Sequence, residues 1–154
     1  MQKTVTINEK EYPVYATVDE ADEYFAAFYN CGWDSISPED KAKLLVSATR
    51  AIDREAYAGK RIDPVQLLKF PRIIYGEETK EQILKEACCE EALSIYLYNT
   101  AVGTSADGIK MMKVQDTQIE FFSDSERDTQ LKSESAYKLL YPYFEFGVEI
   151  GYCS

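Results

Sequence analysis

The stretch Ala87-Cys88-Cys89-Glu90-Glu91-Ala92-Leu93-Ser94-Ile95-Tyr96-Leu97-Tyr98 is apolar almost all the way round when wound as a helix. A helix of that kind has no face to give to water. The pattern therefore predicts a helix from about Glu78 to Asn99 that is the central one of its domain, touched on several sides. Glu90 and Glu91 are the exceptions, and each needs a partner. At 154 residues the chain fits a single domain, residues 1–154, with enough interior for a hydrophobic core.

Around that helix the punctuation is clear. Val5 to Val14 alternates weakly about Asn8-Glu9-Lys10, as a strand pair or an extended N-terminal arm over 1–15. Thr17 and Glu20 have the spacing of a capping box, and Ala21, Tyr24, Phe25 and Phe28 then share one helical face, which Asn30-Cys31-Gly32 ends. Ser37-Pro38-Glu39-Asp40 starts a second helix with an N-cap serine, a proline whose missing N–H costs nothing there, and acids at the positive dipole end. Its stripe is Leu44, Leu45, Ala48 and Ile52, and it is expected to stop near Gly59. Asp63-Pro64 caps one turn, and Phe70-Pro71-Arg72 forces an extended crossing.

Beyond the central helix, Ile109–Val114 and Thr117–Phe122 read as a hairpin (109–122) turning at Gln115-Asp116. Its register places Met112, Val114, Thr117, Ile119 and Phe121 on one apolar face. Ser133 to Tyr141 is a last short helix that Pro142 ends, and the tail 143–154 alternates, with Phe144, Phe146, Val148 and Ile150 on one side. The expected fold class is mainly α: a small helical bundle with one β-hairpin, inserted between the central and C-terminal helices, and an extended C-terminal tail.

The chain holds no histidine, which removes the commonest general base and metal ligand. Its cysteines, Cys31, Cys88, Cys89 and Cys153, have no zinc-type spacing and are expected to be small buried hydrophobes. No metal and no cofactor are expected. No run approaches the ~18 apolar residues that span a bilayer, and the first residues lack an apolar signal core, so a cytosolic, reducing setting is expected. With 17 Lys and Arg against 27 Asp and Glu, the net charge is −10, which repels phosphate and anionic lipid.

The order of motifs resembles the head-tail connector family of tailed bacteriophages. The stretches that carry the resemblance are Ala16 to Phe25, Ala48 to Asp53, Asp63-x-x-Gln66-x-Leu68-x-Phe70-Pro71-Arg72, Glu86-Ala87-x-x-Glu90-x-Ala92-Leu93, Gly108 to Lys110, Lys113-Val114-x-Asp116-x-x-Ile119-Glu120-Phe121, and Leu139 to Tyr143. They span nearly the whole chain. Gln115, where the family commonly has glycine, and Met111-Met112, where it has polar residues, depart from the pattern. Some members of the group are named after a DnaT-like single-stranded-DNA-binding protein. The connector resemblance implies a structural protein of a phage or prophage. It would form a homo-oligomeric ring matching the portal's symmetry, bind the portal protein and the next connector or tail protein, and let DNA pass through without tight binding. It implies a place in the bacterial host cytoplasm during assembly and then in the virion neck, and no catalysis. Asp63, Gln66, Phe70, Pro71, Arg72 and Glu90 would be structural. Met111, Met112, Val114, Ile119, Phe121, Phe144, Phe146, Val148 and Ile150 are the candidate interface.

The residues bear on three function classes. A carboxylate pair at Glu90 and Glu91 would suit acid–base chemistry, but adjacent helical positions point apart, and a buried acid paired with Arg50, Arg54 or Arg72 is the plainer expectation. Twelve tyrosines and seven phenylalanines could stack on bases, yet the cations Lys41, Lys43, Lys60, Arg61, Lys110 and Lys113 are scattered along the chain. The expected order is therefore a connector first, with the acidic surface keeping a lumen free of sticking DNA, a single-stranded-nucleic-acid-binding replication accessory second, and an enzyme last.

Overall fold

The computed structural model describes residues 2–104, 111–114, 117–120 and 131–145. The chain opens with a hairpin, β1 (Lys3–Ile7) and β2 (Lys10–Val14), closed by a two-residue turn in which Asn8 and Glu9 both have positive φ, 52° and 66°. That mirror-image turn matches the twist of the strands it joins. Lys3 then ties the hairpin to the helices, with its ammonium 3.0 Å from Glu20 and 2.8 Å from Glu81.

Helix α1 (Val18–Phe25) carries the expected capping box, the Thr17 hydroxyl accepting from the Glu20 amide and the Glu20 carboxylate accepting from the Thr17 amide. Helix α2 (Pro38–Asp53) starts under the Ser37 cap as its sequence predicts. It stops at Asp53 rather than near Gly59. Tyr57 folds back to donate its hydroxyl proton to the Ile52 carbonyl at 2.6 Å, which turns the chain inward.

Three short strands follow: β3 (Lys60–Arg61), β4 (Arg72–Ile74) and β5 (Glu77–Glu78), paired antiparallel in that order. β5 takes Glu78 into a ladder, so the central helix α3 starts at Glu81 and runs to Thr104. Strands β6 (Met111–Val114) and β7 (Thr117–Glu120) pair with Met112 opposite Ile119 and Val114 opposite Thr117, the expected register. Helix α4 (Glu134–Leu140) begins under the Ser133 cap. Among the described residues the architecture is thus mixed α and β, four α-helices with three small sheets, which corrects the expected helical bundle with a single hairpin. Two- and three-residue strands are too short to show an alternation, so composition along the chain had no signal for β3 to β5.

The core lies where α3 meets α2 and α4. Ala87, Cys88, Cys89 and Ala92 are fully buried, and their small side chains let the neighbouring backbones approach closely. Leu45, Ala48 and Ile52 of α2 and Leu140 of α4 fill the space against them. Trp33, also fully buried, closes the α1 end, its indole N–H donating to Asp22 at 2.8 Å while the Lys41 ammonium holds the same carboxylate at 2.9 Å. Among the described residues no helix is long and apolar enough to cross a membrane.

Candidate functional site

The segment between β3 and β4 is tied into a fixed loop by two of the motif residues. Asp63 accepts the Val65 amide at 3.1 Å, and the Gln66 side chain accepts the Asp63 amide at 3.2 Å while donating to the Leu68 and Pro71 carbonyls at 2.9 and 3.0 Å. Every polar end of Gln66 is thereby used on its own loop. At the base, Phe70 is buried among the rings of Tyr15, Tyr57 and Tyr143. Its amide donates to the Tyr15 hydroxyl at 3.2 Å, and that hydroxyl donates to Asp53, which also accepts the Lys69 amide at 3.2 Å. Burial raises the pKa values of Asp53 and Tyr15.

Arg72 fastens this loop to the chain after α2. Its Nε donates to Ala58 O at 2.9 Å, one Nη to Gly59 O at 2.8 Å and Tyr57 O at 3.4 Å, and the other Nη to Lys69 O at 3.3 Å. Its partners are carbonyls, so the expected pairing with an acid of the central helix is corrected. Directly opposite on β3 stands Arg61. Arg61 places its Nε on Leu68 O at 3.3 Å, and among the described residues its two Nη groups have no partner. No described carboxylate lies within ion-pair distance of either guanidinium. Burial lowers the Arg72 pKa first, and the charge of Arg61 lowers it further.

Two like charges opposite one another on adjacent strands repel, and here they stand in one of the chain's more cationic stretches. From residue 60 to 75 the charged residues are Lys60, Arg61, Lys69 and Arg72 against Asp63, and β5 adds the exposed acids Glu77 and Glu78, so four cations stand against three acids and the lobe is net +1. Read linearly these cations look scattered; the β3–β4 pairing and the folded loop gather them. The same lobe carries exposed apolar side chains, Val65 at 81%, Leu67 at 71% and Tyr75 at 73% of full exposure. The local cue in the sequence is the Lys60-Arg61 pair; the rest is a charge sum over a window.

Glu90 and Glu91 do not act as a pair. Glu90 accepts from the Tyr24 hydroxyl at 2.6 Å, and burial raises its pKa. Glu91, fully buried, accepts the Lys132 amide at 2.9 and 3.0 Å and the Ser133 amide at 2.9 Å. Burial pushes its pKa up to about 7 against the opposing effect of those amides. Arg50 on α2 and Arg54 just after it, the other expected partners, are exposed. Cys88 and Cys89 are buried thiols, the first contacting the Thr49 hydroxyl, and burial pushes Cys88 up to about 11. Such thiols are poor nucleophiles. Among the described residues no His, Cys, Asp and Glu gather as metal ligands do.

Of the candidate interface, Met111, Met112, Val114 and Ile119 lie in β6 and β7, while Phe121, Phe146, Val148 and Ile150 lie outside the described residues. Phe144 is not a surface residue. It is buried, stacks on Tyr57 at 5.4 Å and forms a bridge with that residue, while the Glu145 amide donates to Ala56 O at 3.1 Å. The start of the tail thus pairs with the segment after α2 of its own chain.

Residues 7–152 match the family described as "Putative DnaT-like ssDNA binding protein", and the chain belongs to that family. No curated protein and no solved structure matches it. No head-tail connector family matches either, which corrects the expected connector assignment. The ring beneath a portal, the portal and tail partners and the exclusion of nucleic-acid binding fall with it.

Proposed function

We propose that this chain is a non-enzymatic single-stranded-DNA-binding protein, an accessory of replication, which holds the strand on the lobe formed by β3, β4, β5 and the loop 62–71. One observation carries the placement: Arg61 offers an unused guanidinium fork beside the fixed charge of Arg72, and the nearby carboxylate that both feel, Asp53, makes no ion-pair contact with either and is held by Tyr15 and the Lys69 amide. A planar fork held by its own Nε is preset for a phosphate. The family description supports the same ligand. The net charge of −10 disfavours a strand over most of the surface.

Fluorescence anisotropy of a labelled, unstructured oligonucleotide titrated at several salt concentrations tests the reading. The expected result is an affinity that falls as salt rises, with a slope of ~0.7 per neutralised phosphate, and a small total because few cations take part. Binding that is absent at low salt, or insensitive to salt, overturns it.

A further inference from the structure

The turn that joins β4 to β5 consists of Tyr75 and Gly76, with Ile74 paired to Glu77 on either side. Both turn residues have positive φ, 55° for Tyr75 and 81° for Gly76. That geometry suits Asn, Asp or Gly in the first position, and a bulky ring there is strained. The hairpin between β1 and β2 uses the same kind of turn and puts Asn8 first. Tyr75 gains nothing inside the fold in return: its ring is 73% exposed, and among the described residues its side chain makes no hydrogen bond and no ring contact. A strained residue whose side chain serves no internal contact points to an external one.

We infer that Tyr75 is the base-stacking residue of the DNA site and gives it a preference for unpaired over duplex DNA. The inference rests on the lobe reading above. Tyr75 follows Arg72 by three residues on the same short hairpin, roughly 10 Å along the strand at ~3.3 Å per residue. A phosphate held at Arg61 therefore leaves a base a few nucleotides away, at ~3.4 Å stacked spacing, within reach of the ring. Stacking needs an open base face, which a single strand presents and a duplex hides. The two parts of the lobe then divide the work: the guanidinium attracts any nucleic acid, and the ring selects the single strand.

The test compares wild type, Tyr75→Asn and Tyr75→Phe by thermal melting and by anisotropy with one sequence in single-stranded and duplex form at fixed salt. Tyr75→Asn is expected to melt no lower than wild type, since it relieves the turn. It is expected to lose roughly 5- to 150-fold in affinity for the single strand, the range of one base stacked on an aromatic ring, with its duplex affinity unchanged. Tyr75→Phe, which keeps the ring, is expected to bind the single strand as wild type does. Wild-type affinity in Tyr75→Asn, or equal loss for both forms of DNA, overturns the stacking role and leaves the lobe reading standing. A wild-type protein with no salt-dependent binding at all overturns both.

Discussion

The Glu91 carboxylate accepts the Ser133 backbone N–H at 2.9 Å, and through that bond the centre of α3 holds the chain where it enters α4. Ser133 is itself the cap of α4, its hydroxyl accepting from the Ala136 amide at 3.0 Å. One buried acid thus positions the residue that starts a helix 42 positions away.

That bond has a pH signature. Burial raises the folded-state pKa of Glu91 to about 7, above the ~4.3 of an exposed glutamate. The folded chain therefore binds a proton more readily than the unfolded one between those values, and stability falls as pH rises through the window. The full effect is on the order of 3 kcal/mol. Glu90 and Asp53, also raised by burial, act in the same direction, and no histidine titrates to mask it. Calorimetry from pH 8 to pH 5 is expected to show a rising Tm, and Glu91→Gln is expected to flatten the curve. A Tm that falls over that range contradicts the assignment.

Arg72→Ala is expected to cost about 2–3 kcal/mol, because it strips a charged donor from the Ala58, Gly59 and Lys69 carbonyls at once. Arg72→Lys is expected to rescue little of that loss, since a single ammonium cannot span carbonyls arranged around a planar fork. Urea denaturation of the three proteins checks the order. Full recovery in the lysine variant would show that charge alone is needed.

The elements with local chemistry were legible in the sequence. The Thr17–Glu20 box, the Ser37-Pro38 start and the Ser133 cap each announce a helix through groups within three residues of one another. The Val114–Thr117 pairing followed from a two-residue gap between alternating runs. What stayed hidden depends on distant partners. Arg72 looked made for an acid, and only the fold shows four backbone carbonyls converging on it from residues 57–59 and 69. The cationic lobe is likewise a product of β3 meeting β4 across a ten-residue loop, so Arg61 and Arg72 stand opposite one another without any motif to say so. Phe144 read as surface because its alternation was apparent and its partner, Tyr57, was 87 positions away.

Gly59 should accept no side chain. Its φ is +73°, and an added Cβ would sit 2.0 Å from the Ile73 carbonyl oxygen on β4. Both the backbone conformation and the contact oppose alanine, so Gly59→Ala is expected to lose at least about 2 kcal/mol in urea melts. Because that contact lies where β3 leaves α2 for β4, the variant is also expected to bind single-stranded DNA more weakly. Wild-type stability would mean that β3 shifts freely against β4.

Arg61 provides the sharpest separation of binding from folding. Its removal costs one bond, to Leu68 O, and the attraction to Asp53, and relieves the repulsion from Arg72 across the strand pair. Arg61→Ala is accordingly expected to melt within a few degrees of wild type. Its affinity for single-stranded DNA is expected to drop, and its salt slope to shrink by ~0.7, the share of one phosphate. Lys43→Ala is the matched control. It makes the same change in net charge, but Lys43 lies in the first half of α2 and is already paired with Glu39 at 3.6 Å, so affinity and slope are both expected to stay at wild-type values. Equal losses in the two variants would show that overall charge, not the Arg61 fork, governs the interaction, and the strand would then have no fixed place on the β3–β5 lobe.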